Sequence, residues 1–246
     1  YQMKINIKRF SKDKSFENKV YQYDIKEDNL LKALYEIKIN IDSTLTFRCG
    51  CKSGVCGSCA IKVNGVEKLA CKTKIKDSDL IEPINNSTII KDLVADVSHE
   101  TFLIKKTKSF IEENQVVNIS QKDIKIIDLQ SNCILCNACY SSCPVYEVNK
   151  EFLGPFALTR ALRYINEKKN ASGANIVSNI QANGIWDCTL CSACTLVCPQ
   201  GIDPKADIMQ LQNISVQNGY DNPNMQTFAY GTNFDDDFGG FNPNGF

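Results

Sequence analysis

Apolar and polar residues alternate through 4–10 (KINIKRF) and again through 20–25 (VYQYDI), the two-residue period of strands that bury one face. A polar, Ser- and Lys-rich turn lies between them. The period then becomes helical. Leu30, Leu31, Leu34 and Ile37 share one face of LLKALYEIKI, with Asp28 or Asn29 placed to cap its start. A Cys/Gly-rich loop from Arg48 to Cys59 leads into AIKV and VEKLAC, two short strands around Asn64-Gly65, a pair suited to a type I′ turn. LIEPI at 80–84 makes a last strand. A mixed sheet crossed by one helix, in this order, predicts a small β-grasp domain over 1–97.

From Ile90 onward the spacing turns helical. Segments 90–97, 101–113 and 156–168 carry apolar residues three and four apart, which predicts helices and a second, all-α domain over 98–215. The fold class expected is therefore α+β. Residues 216–246 are rich in Asn, Gly and Asp with scattered aromatics, ending FGGFNPNGF. Such a composition cannot bury a core of its own and predicts a polar tail, disordered or laid along a partner.

The 28 basic and 28 acidic residues cancel, so the basic footprint of a nucleic-acid binder is missing and no nucleic-acid partner is expected. No run reaches the roughly 18 apolar residues of a membrane span, and no secretory signal pattern is legible. Together these predict a soluble chain that meets a membrane only through partners. Cysteine changes the picture: thirteen are present against one histidine, His99. An odd, closely spaced set is a poor disulfide framework for a chain of this size and points to thiols kept reduced or metallated.

Cys51-x4-Cys56-x2-Cys59, followed by Cys71, has the spacing of plant-type [2Fe–2S] sites. Gly50, Gly54 and Gly57 would let backbone amides come close to a cluster. The unit C-x2-C-x2-C-x3-C-P then occurs twice, at Cys133–Pro144 and Cys188–Pro199. In bacterial-type ferredoxins the first three cysteines of such a run hold one cubane and the fourth ligates the other. Applied here, Cys133, Cys136, Cys139 and Cys198 form one [4Fe–4S] set, and Cys143, Cys188, Cys191 and Cys194 the other. Iron through these twelve cysteines is the expected metal. Cys49 breaks the spacing and reads as a small buried thiol, and His99 as a structural histidine. No catalytic triad, P-loop or dinucleotide fingerprint is found, so no catalytic residue is assigned.

The stretches LTFRCGCKSGVCGSCAIKVNG, LACKT, IIKDLVAD, FLGPFALTRALRY and CPQGIDP resemble the iron–sulfur subunits of succinate dehydrogenases and fumarate reductases over about residues 3–212. The resemblance implies a chain that relays single electrons between an FAD-bearing flavoprotein subunit and a membrane-associated anchor, at the cytoplasmic (inner) membrane. FAD would sit on the partner only, and the quinone pool would be reached indirectly. Two departures stand out. The common form lacks a cysteine at the place of Cys191 and holds a [3Fe–4S] cluster there, so a complete [4Fe–4S] is expected here, with [3Fe–4S] the alternative. Trp, Trp and His of the common quinone pocket are replaced by Glu147, Val148 and Thr189. This resembles the branch that works with a Cys-rich, heterodisulfide-reductase-like anchor, as in methylmenaquinol:fumarate reductases. The competing readings are an electron-transfer subunit of a heterodisulfide-reductase-like or glycolate-oxidase-like enzyme, and a zinc-binding module.

Overall fold

The structure, a computed structural model, describes residues 2–10 and 19–223. β1 (Met3–Arg9) and β2 (Lys19–Ile25) pair antiparallel, and the expected alternation holds: Ile5, Ile7, Tyr23 and Ile25 are buried. β3 (Ala60–Val63) and β4 (Val66–Leu69) form the predicted hairpin. Asn64 and Gly65 both take positive φ (53° and 80°), as a type I′ turn requires. β5 (Leu80–Glu82) joins the two pairs, running parallel to β1 and antiparallel to β3. The sheet order β2-β1-β5-β3-β4 is that of a β-grasp fold.

α1 (Leu30–Glu36) closes this sheet by burying Leu30, Leu31, Ala33 and Leu34. Asn29, not Asp28, caps it, accepting from the Lys32 amide at 3.2 Å. The helix does not continue regularly to Ile39; it widens into a π turn at Ile37–Ile41 that leaves Ile39 and Ile41 exposed.

The segment 90–97 is not a helix. β6 (Ile89–Lys91) and β7 (Val94–Ala95) form a small hairpin turning at Asp92, whose φ is 47°. The cause is a buried polar anchor far away in sequence. Asp92 accepts from Arg9 Nε (3.0 Å), Arg9 Nη2 (2.9 Å) and the Thr46 amide (2.9 Å). Holding this carboxylate inside fixes the turn, and the local apolar spacing is overridden.

Arg9 also donates to Asp42 Oδ2 at 2.5 Å and to the Tyr23 hydroxyl at 3.2 Å. Hydrogen bonds from the Thr44 hydroxyl, the Thr44 amide and Tyr23, together with the Arg9 charge, hold the Asp42 carboxyl down at about 2. A lowered carboxyl contributes its stability fully above the unfolded value near 3.9 and loses it as pH falls through the folded value. Asp42→Asn is therefore expected to cost about 1 kcal/mol at pH 7, after allowing for solvent screening. Urea unfolding of both proteins should show that gap shrinking below pH 4 and mostly gone by pH 2.

The remaining helices are α2 (His99–Thr107), α3 (Gln121–Ser131), α4 (Ala138–Ser141), α5 (Pro144–Val148), α6 (Pro155–Ile165), α7 (Gly173–Asn179), α8 (Ala193–Leu196) and α9 (Pro204–Gln217). α6 is their hub, packing on α2, α3, α4, α7 and α9 and burying Phe156, Ala157, Leu158, Thr159, Ala161 and Leu162. Two helices end sooner than 101–113 and 156–168 suggest. α2 stops at Lys108, which adopts the left-handed conformation (φ 52°), and α6 at Asn166. α9 runs two residues into the stretch assigned to the tail; of that tail, 224–246 lies outside the described residues.

Candidate metal centres

The loop before β3 is shaped by backbone few residues can adopt. Lys52, Gly54 and Gly57 have φ of 60°, 86° and 70°. Gly50 does not need positive φ; it matters for closeness, since a Cβ there would lie 3.0 Å from Cys56 Sγ. The turns aim amides at sulfur: Ser53 N and Val55 N each donate to Cys51 Sγ at 3.3 Å, and Cys51 N to Cys56 Sγ at 3.4 Å. Hydrogen bonds from Ser53, side chain first and then backbone, and from the Val55 amide pull the Cys51 thiol down to about 5. Cys59 is buried, which pushes its thiol up to about 11, and it faces Cys71 and Cys56. Cys71 sits in the 3-10 turn Ala70–Lys72 that ends β4, and Asn29 Nδ2 donates to its carbonyl at 3.1 Å. The structure thus brings Cys51, Cys56, Cys59 and Cys71 to one end of the sheet.

The two repeated runs are backbone copies as well as sequence copies. In the first, Leu135 (φ 53°) and Asn137 (φ 62°) bracket Cys136; in the second, Leu190 (φ 55°) and Ser192 (φ 69°) bracket Cys191. Left-handed leucine is costly and persists where the surroundings demand it. The flips form amide-lined concavities suited to an anionic centre, and Leu190 N donates to Cys188 Sγ at 3.4 Å. Cys133, Cys136, Cys139 and Cys198 line one cavity, walled by Phe156, Thr159 and Ile202. Cys143, Cys188, Cys191 and Cys194 line a second, walled by Phe152 and Ile208. Each run's fourth cysteine therefore crosses to the other run's cavity.

These sets fit multi-iron centres. Burial drives the Cys136 and Cys194 thiols up to about 12, so they become thiolates only against a strong local positive charge, which clustered iron supplies. Among the described residues, no three His, Cys, Asp or Glu side chains gather tightly enough to hold a single metal ion.

The first loop also lies against the first run. A Cβ at Gly57 would lie 2.6 Å from the Ile134 carbonyl and 3.0 Å from Cys136 Cα, and Gln200 Nε2 donates to the Gly54 carbonyl at 3.0 Å. The first loop is therefore pressed against the first run. Gly57→Ala is expected to destabilise by about 2–3 kcal/mol, combining left-handed strain with overlap. Gly65→Ala has similar φ but nothing within 4 Å and should cost only about 1 kcal/mol. Paired urea unfolding curves check the difference; equal costs would show the loops are not in contact.

The leftover residues fall into place. Cys49 is half-buried with its sulfur 2.6 Å from the Tyr35 hydroxyl. His99 packs against Tyr140, Tyr146 and Phe156, its ring centroid 5.3 Å from that of Tyr140. Glu147, Val148 and Thr189 are all exposed, so Glu147 incurs no burial cost in this chain. Sequence reasoning missed two buried or half-buried carboxyls beside the cavities. Asp207 accepts from Gln130 (2.8 Å) and Thr159 (2.7 Å), and Glu100 accepts from Asn137. Neither carries a motif; only packing reveals them.

Residues 4–101 match the family described as 2Fe-2S iron-sulfur cluster binding domain, and residues 130–202 the 4Fe-4S dicluster domain. The chain is 34% identical over 232 residues to the fumarate reductase iron-sulfur subunit of Haemophilus influenzae, covering 85% of this chain and 91% of that one. It is 33% identical over 236 residues to the 8-methylmenaquinol:fumarate reductase iron-sulfur subunit of Wolinella succinogenes, covering 88% and 74%. A chain of the Mycobacterium smegmatis Sdh1 complex in the apo form shares the fold, with a TM-score of 0.77 at 22% identity over 91% of this chain and 99% of that one. With cysteine sets, backbone and overall fold all in agreement, this chain belongs to the family of iron–sulfur subunits of fumarate reductases and succinate dehydrogenases.

Proposed function

We propose that this chain relays single electrons between an FAD-bearing flavoprotein and a Cys-rich, membrane-associated anchor in a fumarate reductase/succinate dehydrogenase complex. The observation that carries the reading is the close approach of the Cys51–Cys71 set to the first run, through Gly57–Ile134 and the Gln200–Gly54 hydrogen bond, together with the exchange of fourth cysteines between the two runs. When loaded, the iron–sulfur centres accept and give up one electron at a time. The chain's own residues do the rest. Cys51, Cys56, Cys59 and Cys71 hold a [2Fe–2S] centre; Cys133, Cys136, Cys139 and Cys198 hold one [4Fe–4S]; Cys143, Cys188, Cys191 and Cys194 hold the other. Leu135, Asn137, Leu190 and Ser192 turn amides inward. The wall residues Phe156, Ile202, Phe152 and Ile208 restrict water. The domain boundary belongs at residue 97, between β7 and α2.

The far end suits a protein acceptor. Cys191 is exposed, and Val148 (86%) and Leu196 (83%) stand beside this set with their side chains in solvent. Glu147, Val148 and Thr189 offer no aromatic cage, which favours a cluster-bearing anchor over a quinone pocket completed by this subunit. In this reading membrane association runs through the partners; no helix among the described residues is long and apolar enough to cross a membrane. Anaerobic purification of the native complex tests the reading. It should bring down a flavoprotein with this chain, give a brown sample with about ten irons per copy, and reduce fumarate with a reduced dye. A colourless or zinc-loaded chain, or one without a flavoprotein, would overturn it.

A further inference from the structure

The two cysteine runs are backbone copies, yet the β-grasp domain rests on the first. Gly57 closes on Ile134 and Cys136 of that run. The matching residues of the second, Thr189 and Cys191, are exposed. The contrast is sharpest at the short helices of the two runs. Ser141 of α4, two places after Cys139, is 4% exposed, whereas Leu196 of α8, two places after Cys194, is 83% exposed.

Hydrogen bonds from the β-grasp domain cover Ser141. Its hydroxyl donates to Glu67 Oε1 at 2.6 Å and accepts from the Asn85 amide at 2.8 Å. Glu67 lies on β4, at the edge of the sheet, and is itself only 6% exposed. A buried carboxyl is costly without a partner, so this strand is matched to a hydroxyl at that place. Asn86, left-handed at φ 62°, grips the same turn. Its Nδ2 donates to the carbonyls of Tyr140 (2.9 Å) and Ser141 (3.2 Å) at the end of α4. Its Oδ1 accepts from Lys150 Nζ at 3.0 Å, and that ammonium also lies 4.5 Å from the centre of the Tyr146 ring. Carbonyls only accept and an ammonium only donates, so the amide fits one way round. Cys139 and Cys143, one from each cubane set, flank the gripped turn.

The junction itself is hollow. A cavity of about 280 Å³ has Cys56 and Gly57 on one wall and Cys136 and Asn137 on the other. Packing across that space cannot by itself fix how far the two iron-binding loops stand apart. We propose that Ser141 and Asn86 are positioning residues for electron transfer: with Glu67 and Asn85 they key the [2Fe–2S] domain to the first run and hold the gap an electron crosses. The inference rests on the electron-relay reading above. Neither residue is a ligand, and no bond forms or breaks as one electron passes. Transfer falls steeply with separation, so a loosened lock slows it while each cysteine set stays intact. The same lock explains the choice of run. Leucine at the place of Ser141, as the second run has it, would leave Glu67 buried without its hydroxyl partner.

The test compares the native complex with Ser141→Leu and Asn86→Asp, all prepared anaerobically, by pulsed EPR. Asn86→Asp keeps the size, a residue type that tolerates the left-handed backbone, and the Lys150 partner, and puts a carboxylate oxygen where the N–H donor was. In the native protein the reduced [2Fe–2S] signal should relax fast, because a second paramagnetic centre stands near it. Both variants should slow that relaxation and lower turnover across the whole chain about tenfold or more. Iron should stay at about ten per copy, and the potentials of both centres should hold. Lys68→Gln, next to Glu67 but exposed, should change none of these. Should Ser141→Leu lose its iron, Asn86→Asp decides on the same readings. Unchanged relaxation in Asn86→Asp, or an equal loss in Lys68→Gln, would overturn the proposal. Absence of the EPR signals from the native complex would instead sink the electron-relay reading.

Discussion

Replacing Gly154 by Ala is expected to cost about 3–5 kcal/mol and to empty both cubane cavities. Gly154 stands at φ 78°, ψ 176°, a region open essentially to glycine alone. A Cβ there would lie 2.3 Å from Cε1, 2.5 Å from Cζ and 2.6 Å from the hydroxyl of Tyr140. Tyr140 cannot swing away: it is 0% exposed, its hydroxyl donates to the Leu153 carbonyl, and its ring packs at 4.7 Å on both Tyr146 and Phe156. Strain of about 1–3 kcal/mol and overpacking of similar size add, against a total stability of about 5–15 kcal/mol for a typical domain. The consequence reaches the metal centres because Tyr140 follows Cys139 directly and lies three residues before Cys143, one ligand of each cubane. Iron content and near-UV circular dichroism of Gly154→Ala measure the effect. Combining it with Tyr140→Ala should cost less than the sum of the two single changes, since the clash disappears and only the backbone strain remains.

Neither Gly154 nor Tyr140 was legible as a partner of the other. The spacing through 156–168 predicts a helix, and a helix is there over Pro155–Ile165, but sequence does not say which ring fills the space above Gly154. The cysteine sets were readable because their spacing is chemistry: a loop that grips three corners of one centre has few possible lengths. The hairpin at Asn64-Gly65 was readable because its turn needs positive φ at both places. What failed has a common cause. Residues 90–97 show helical spacing, yet Asp92 is held by Arg9 from 83 positions away, and that long-range tie decides the local backbone. Glu147 stands where the common form has an aromatic ring, and in this chain it is exposed. Glu100 and Asp207 carry no sequence signal, because burial of a single polar residue leaves no periodic trace.

The sharpest consequence of the sequence for the chemistry lies at Cys191. Every cysteine of the second run has its counterpart in the first, and the backbone repeats around it, with Leu190 and Ser192 left-handed just as Leu135 and Asn137 are. Cys191 lines the second cavity with Cys143, Cys188 and Cys194, so every corner of a cubane there has a sulfur. A thiol merely filling space would not need two strained neighbours to hold it at the cavity. The anaerobic protein is therefore expected to carry about ten irons. Cys191→Ser should lose the corner iron, bringing the count to about nine, giving a three-iron EPR signal in the oxidised state and raising the potential of that centre. Folding stability should change little, because Cys191 is exposed and its side chain contributes little to the core. Cys49→Ser is the control: its sulfur is engaged by Tyr35 and lines neither cubane cavity, so the iron count should stay at about ten. A native protein that already shows about nine irons and the three-iron signal before any contact with air would mean that Cys191 is not a ligand, whatever its backbone suggests.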